Sequence, residues 1–325
     1  GPDLRTLAAT GLPGAAELAP LVTEEKRKEI ESSLTVDTPS ILFLELTDRC
    51  DLKCSHCYNS AGPGGSTYLE REVVDALLAE AGTTGYRRVQ FTGGEPLLYP
   101  DLPAILSAAF RARIPMVEIF TSGNRIDGVF LDRIPPQTMF ALSFYSHDLE
   151  VHDRITGVAG SGARTLAGID LLVERGFELR VGAVQMEHNA GHWEKTREFL
   201  VQRGVAEDRV GGSSMSAVGR GGYYPGPERD AEECADDGEK GERDFITWSG
   251  KACVAANGDV YPCIFARFAK LGNVHQRPLS DILETPDAIA GSELSVPERW
   301  NYCAERLSCP DCRFLVFGLM GLKHG

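Results

Sequence analysis

The sequence predicts an α/β protein: an open, TIM-like partial (β/α)6 barrel followed by a small cysteine-rich C-terminal domain. Three observations predict it. Six apolar runs of strand length alternate with segments of helical period between residues 41 and 219. Those runs are near-continuous rather than alternating, as in strands covered on both faces. The rhythm stops near Tyr223, and the remainder is charged and rich in cysteine. Six units are too few for a closed eight-fold barrel.

In order along the chain, residues 1–40 form an N-terminal extension whose best helix candidate is TEEKRKEIESSL. The strands are then ILFLEL (41–46), RRVQFTG (87–93), MVEIFTSG (116–123), MFALSFYS (139–146), FELRVGAVQM (177–186) and GGSSMSAVG (211–219). Helices are expected in EREVVDALLAEAG, DLPAILSAAFRAR, DGVFLDRI, GARTLAGIDLLVERG and HWEKTREFLVQRG. Gly176 and Gly204 supply C-terminal stops for the last two. Right-handed crossovers between such strands give a parallel sheet. A domain boundary falls near 225, giving a barrel over 41–225 and a C-terminal domain over 226–325. In the latter, CVAANGDVYPC reads as a hairpin turning at Asn257-Gly258.

Composition removes several function classes. The net charge of −14 argues against a nucleic-acid partner. No apolar stretch is long enough to span a membrane. The absence of a secretion signal points to the cytoplasm. Residues 228–244 hold nine acids and three bases, a solvated loop or a surface for a basic peptide. Nine cysteines in this setting suggest metal binding or catalysis rather than disulfides. They fall in two groups, at 50–57 and 234–312, which suggests two metal sites.

CDLKCSHC places Cys50, Cys54 and Cys57 in a loop after the first strand. Three thiolates could serve zinc, which normally takes four ligands in a structural site. They could also hold a four-iron cluster with one iron left open. An open iron lets a cluster bind a small molecule and pass it an electron. The next strand ends in FTGGEP, where Gly93 and Gly94 permit close approach of a ligand to backbone and Glu95 offers a carboxylate.

The C-x3-C-x2-C spacing followed one βα unit later by GGE resembles the signature of radical S-adenosylmethionine (SAM) enzymes. The resemblance implies a [4Fe-4S] cluster on Cys50, Cys54 and Cys57, with an open iron chelating SAM. Reduction then cleaves the sulfonium and yields a 5′-deoxyadenosyl radical that abstracts hydrogen. It also implies that His56 packs near adenine and that the Gly93-Gly94-Glu95 segment holds the methionine amino group. Further SAM contacts are expected from Ser122, Asn124, Ser143, Arg154, Gln185 and Arg220, polar residues at or just after strand ends.

The C-terminal cysteines permit a zinc ribbon. With the first half of the chain in view, NGDVYPC, GNV and CPDC resemble the SPASM/twitch extension of the same family, which carries auxiliary clusters. No cysteine follows Cys312, so the two-cluster SPASM plan is incomplete and one auxiliary [4Fe-4S] cluster is expected. Its ligands are expected to be Cys253, Cys263, Cys309 and Cys312, with Cys234 and Cys303 as substitutes or as part of a second cluster.

By the same resemblance the substrate is a ribosomally made precursor peptide, crosslinked within itself through a thioether or carbon bond. The electron donor is a flavodoxin or ferredoxin. The segment before Leu42 is short for a leader-binding module, so a separate leader-binding protein or a groove on this chain is expected. The rival readings are a twitch-type dehydrogenase or epimerase, acting on a small molecule or on peptide Cα positions, and a zinc protein without activity.

Overall fold

The structure, a computed structural model, describes residues 41–214, 218–223, 251–261, 263–265, 267 and 270–284. The N-terminal extension, the acidic stretch and Cys234, Cys303, Cys309 and Cys312 lie outside the described residues.

Six parallel strands follow the expected rhythm: β1 (Ile41–Glu45), β2 (Arg88–Thr92), β3 (Met116–Thr121), β4 (Met139–Ser143), β5 (Leu179–Gln185) and β6 (Val210–Ser214). Between them run α1 (Arg71–Thr84), α2 (Leu102–Arg111), α3 (Gly128–Leu131), α4 (Leu149–Thr156), α5 (Ser161–Glu174) and α6 (Trp193–Gln202). Each strand pairs in parallel with the one before it. The sheet is thus singly wound, as repeated βα units require.

Alternation along the strands divides their residues between two faces. Leu42, Leu44, Val89, Phe91, Ile119 and Leu142 turn outward into one core beneath the helices. Gln90, Thr92, Glu118, Phe120 and Ser143 turn to the opposite, inner face. α4 was not among the expected helices. It forms because the Asp148 carboxylate accepts from the Glu150 and Val151 amides, while Val151 and Ile155 bury one side.

The C-terminal hairpin extends this same sheet. β7 (Lys251–Val254) lies parallel to β1, and β8 (Asp259–Tyr261) and β9 (Gly272–Asn273) follow antiparallel. The Asn257-Gly258 turn forms with Gly258 at φ 81°. α7 (Leu279–Glu284) is tied to α1, because the Leu279 and Ser280 amides donate to the Glu80 carboxylate.

The inner face carries a buried charge. Glu118, 1% exposed, accepts from Arg180 Nε at 2.8 Å, from Arg180 Nη2 at 3.0 Å and from Gln90 Nε2. Burial raises its pKa, but the Arg180 bonds and charge and the Gln90 bond outweigh this and hold it below the ordinary carboxylate range. A depressed folded pKa contributes stability above the unfolded value and loses it as pH falls through the folded one. Glu118→Gln is therefore expected to cost about 2 kcal/mol at neutral pH. That difference should shrink below the ordinary carboxylate range, as read by urea unfolding at stepped pH. A gap that stays constant down to strongly acidic pH would refute the ionised pair.

Candidate active site at the strand ends

The cysteine loop leaves β1 and is stitched to distant segments by backbone bonds. Gly94 N donates to Thr47 O at 2.7 Å, and Glu95 N donates to Arg49 O at 2.8 Å. Cys50 N donates to Gly62 O, Lys53 N to Thr156 O and Ser55 N to Ile155 O, all within 3.0 Å. Arg220 closes the far side, giving its amide to Cys57 O at 2.9 Å and its Nε to Cys54 O at 2.7 Å. Gly219 makes that approach possible: a Cβ there would lie 2.4 Å from Cys57 O. The loop is thus held by β2, α4 and the segment after β6.

All three sulfur-bearing residues of this loop line one cavity of about 240 Å³. Thr92, Gly93 and Gly94 at the end of β2 form its floor, with Phe120, Thr121 and Ser122 beside them at the end of β3. Ser143 and Tyr145 follow from β4, then Val184 from β5 and Ser213 from β6. Ile264 and Phe265, just after β8, close the remaining side. The cavity spans the carboxyl ends of all the strands from β2 to β6, where ligands of such sheets gather.

Burial dominates the electrostatics. It pushes the Cys50 thiol well up and the Cys54 thiol up to about 12, with the neighbouring Cys57 adding to the latter. The fold alone therefore keeps both thiols neutral at pH 7. His56 and His152 are held down at about 4 by burial, so both rings are neutral at pH 7. His56 Nε2 lies 3.1 Å from Tyr145 Oη, while its Nδ1 is buried without a partner among the described residues.

The expected site residues divide into groups. Cys50, Cys54, Cys57, His56, Gly93, Gly94, Ser122 and Ser143 all line the cavity. Glu95 sits behind the wall, fully buried. Its carboxylate accepts from Thr121 Oγ1 and Ser122 Oγ, each at 2.6 Å, and from the Ser122 and Leu97 amides at 3.0 Å. It thereby fixes Ser122 and the end of β3. Asn124 Oδ1 accepts from Thr165 Oγ1 at 3.3 Å. Arg154 is exposed on α4, and Gln185 is exposed at the end of β5 with its side chain near Gly212 and away from the cavity. Arg220 braces the cysteine loop rather than lining the cavity. Asp153 caps α5 from the preceding helix, accepting from the Gly160 and Gly162 amides and Ser161 Oγ.

Cys253 on β7 is fully buried and Cys263 nearly so. Thr92 and Ser213 were missed, although strand alternation places them on the inner face. Ile264 and Phe265 carried no sequence signal, because only the β7–β1 pairing brings them here. Among the described residues no three His, Cys, Asp or Glu side chains converge closely enough for one metal ion. Three cysteines, the hydroxyl-bearing Thr92, Ser122, Ser143 and Ser213 and the Gly93-Gly94 strand end, all lining one cavity, suit a multi-iron cluster with an organic ligand beside it.

Comparison with known proteins agrees with this arrangement. The family model of the radical SAM superfamily matches residues 44–200, and that of an iron–sulfur cluster-binding domain, SPASM, matches residues 246–313. The chain is 28% identical over 179 residues to a PqqA peptide cyclase of Granulibacter bethesdensis, covering 54% of this chain and 48% of that one. It spans about half the length of this and other curated relatives. A PqqA peptide cyclase of Xanthomonas euvesicatoria pv. vesicatoria is 28% identical over 322 residues, covering 87% and 85% of the two chains. Among solved structures, Streptococcus suis SuiB bound to its precursor peptide SuiA superposes with a TM-score of 0.63 at 19% identity, over 86% of this chain and 72% of that one. That likeness establishes a shared fold. No helix among the described residues is long and apolar enough to cross a membrane.

Proposed function

This chain belongs to the radical SAM superfamily and carries a C-terminal SPASM segment, and on that premise we propose that it is a peptide-modifying enzyme. The observation that carries the reading is the meeting of Cys50, Cys54 and Cys57 with the Gly93-Gly94 strand end across one cavity. Those three thiolates would hold a [4Fe-4S] cluster with one iron free of protein ligand. Bound there, that cluster and SAM supply a 5′-deoxyadenosyl radical for hydrogen abstraction.

The chain's own residues bind and orient. Gly93 and Gly94 line the cavity, as do Ser122 and Ser143, with the Ser122 hydroxyl held by the Glu95 carboxylate. Neutral His56 and Tyr145 form an edge-on pair, with ring centroids 4.8 Å apart, against which a flat base can pack. The apolar Ile264 and Phe265 exclude water from the side nearest the C-terminal segment.

A peptide substrate is favoured over a small molecule by the cavity's last strand. β6 ends the sheet among the described residues, residues 211–213 are exposed, and Ser213 lines the cavity. An extended peptide can pair with such an edge and enter the cavity from it. Several of the relatives are named peptide cyclases, although one is named a probable GTP 3′,8-cyclase. We propose an intramolecular crosslink as the product. One auxiliary cluster on Cys253, Cys263, Cys309 and Cys312 would accept the electron left on the substrate radical. A separate leader-binding protein and a flavodoxin- or ferredoxin-type donor would complete the system.

The test is incubation of the reconstituted protein with SAM, a reductant and the short peptide encoded beside its gene, read by mass spectrometry. Loss of two hydrogens is the expected result. An unchanged mass with deuterium taken up from heavy water would indicate epimerisation instead. Absence of any peptide change, with SAM still cleaved, would favour a small-molecule substrate. A colourless protein that binds zinc and releases no 5′-deoxyadenosine would remove the whole reading.

A further inference from the structure

We propose that Arg180 is a specificity-determining residue that anchors a carboxylate of the peptide substrate at the open side of the cavity. The proposal rests on the peptide reading above.

The inner face of the sheet is sealed toward β3 and open toward β5 and β6. The Glu118 side chain is 1% exposed, whereas that of its partner Arg180 is 42% exposed. Gly211 and Ser213 on β6 are exposed as well. Strand register joins this open side to the cavity. Arg180 is level with Ala141, and Ala141 with Phe120, which lines the cavity. Farther along the inward face of β5 come Gly182 and then Val184. Val184 pairs with Ser213, and both line the cavity.

Arg180 uses only part of its hydrogen-bonding capacity. Its Nε and Nη2 reach across the intervening β4 and donate to the Glu118 carboxylate at 2.8 and 3.0 Å. A guanidinium carries five N–H donors in a planar fork, and one edge of the fork is made by Nη1 and the second Nη2 hydrogen. Nη1 has no partner among the described residues. That edge matches a second carboxylate in bidentate geometry. Because Glu118 already fixes the guanidinium plane, a ligand need not order a long side chain on arrival.

Gly182 and Gly211 leave the way from Arg180 to the cavity clear. They are partners across β5 and β6. Neither has a positive φ. A Cβ would meet nothing within 4 Å at Gly211, and only Leu142 O at 3.9 Å at Gly182. Glycine weakens a strand interior, and neither backbone strain nor crowding requires it at these two positions. What the pair supplies is bare backbone beside Ser143, the cavity-lining partner of Gly182 in the β4–β5 register. An extended peptide can lie against that backbone while its carboxylate meets Arg180.

The experiment follows binding of the fluorescently labelled neighbouring peptide to the reconstituted full-length protein with SAM and without reductant, by anisotropy. In a peptide series each Asp or Glu is changed to its amide in turn, and one further member carries a C-terminal amide. One member is expected to bind the parent protein about tenfold more weakly than the unaltered peptide. Which member it is tells an acidic side chain from the chain terminus, and either supports the anchor. A protein carrying both Glu118→Gln and Arg180→Gln loses the two charges together, so neither is left buried alone. It should bind the unaltered peptide about tenfold more weakly and no longer distinguish the members of the series. A purely structural role would not make the loss depend on the peptide's charge. Equal binding of every member to the parent, or an undiminished preference in the double variant, would overturn the proposal and leave the peptide reading standing. A peptide that neither binds nor changes mass would overturn both. Should the double variant not fold, Arg180→Lys decides, since it keeps a charge beside Glu118 but has no second edge: a lost preference supports the anchor, and the full preference refutes it.

Discussion

Cys54→Ala is expected to reduce 5′-deoxyadenosine release to background and to remove about four irons per chain, while the fold survives. Cys54 lies between the other two cysteines in the loop and lines the same cavity. The loop itself is held by backbone groups. Arg220 Nε bonds to the Cys54 carbonyl, and the Lys53 and Ser55 amides bond to Thr156 and Ile155. None of these contacts uses the thiol, so alanine keeps them. What disappears is one of the three proposed cluster ligands. The iron left behind would belong to the C-terminal site. Iron analysis, ultraviolet–visible absorbance and chromatography of the SAM products check each part. Native levels of 5′-deoxyadenosine from this variant would show that Cys54 is no ligand.

The sheet was legible because buried parallel strands write themselves as apolar runs. β3 was expected from 116 and starts there, and β5 was expected from 177 and starts at Leu179. The α4 segment was not legible as a helix. Its buried Val151, His152 and Ile155 are interrupted by Glu150, Asp153 and Arg154, and eight residues give periodicity little room. In the site, what was readable was local. Cys50, Cys54 and Cys57 announce themselves by spacing, and Gly93-Gly94 by its place at a strand end. What was not readable depends on distant pairing. Ile264, Phe265 and Arg267 reach the cavity and its surroundings only because a strand beginning at Lys251 pairs with one beginning at Ile41. Glu95 illustrates an intermediate case. Its presence was evident, but its burial and its four bonds to β3 and the turn after β2 follow from the register of two strands.

Gly94→Ala is expected to be nearly as damaging as loss of a cysteine, although it removes no ligand. A Cβ at this position would lie 2.1 Å from the Arg49 carbonyl oxygen and 2.5 Å from its carbon. Both are backbone atoms, so no rotamer change relieves the clash. The same carbonyl accepts from the Glu95 amide at 2.8 Å, and the Gly94 amide donates to Thr47 O at 2.7 Å. The end of β2 and the start of the cysteine loop are therefore in direct backbone contact, and one side must move. Arg49 immediately precedes Cys50, so the displacement passes to the first thiol. Overpacking of this kind costs about 1–3 kcal/mol in stability. A shift of the loop by about 1 Å would lower SAM cleavage on the order of 10²-fold, because cluster, SAM and backbone would lose their alignment. Gly64→Ala is the control: nothing lies within 4 Å of a Cβ there, so stability should change by no more than about 0.5 kcal/mol. Urea unfolding, iron content and 5′-deoxyadenosine release, measured on both variants, separate the effects. Full iron content and native SAM cleavage in Gly94→Ala would mean that the cysteine loop is not seated on this strand end.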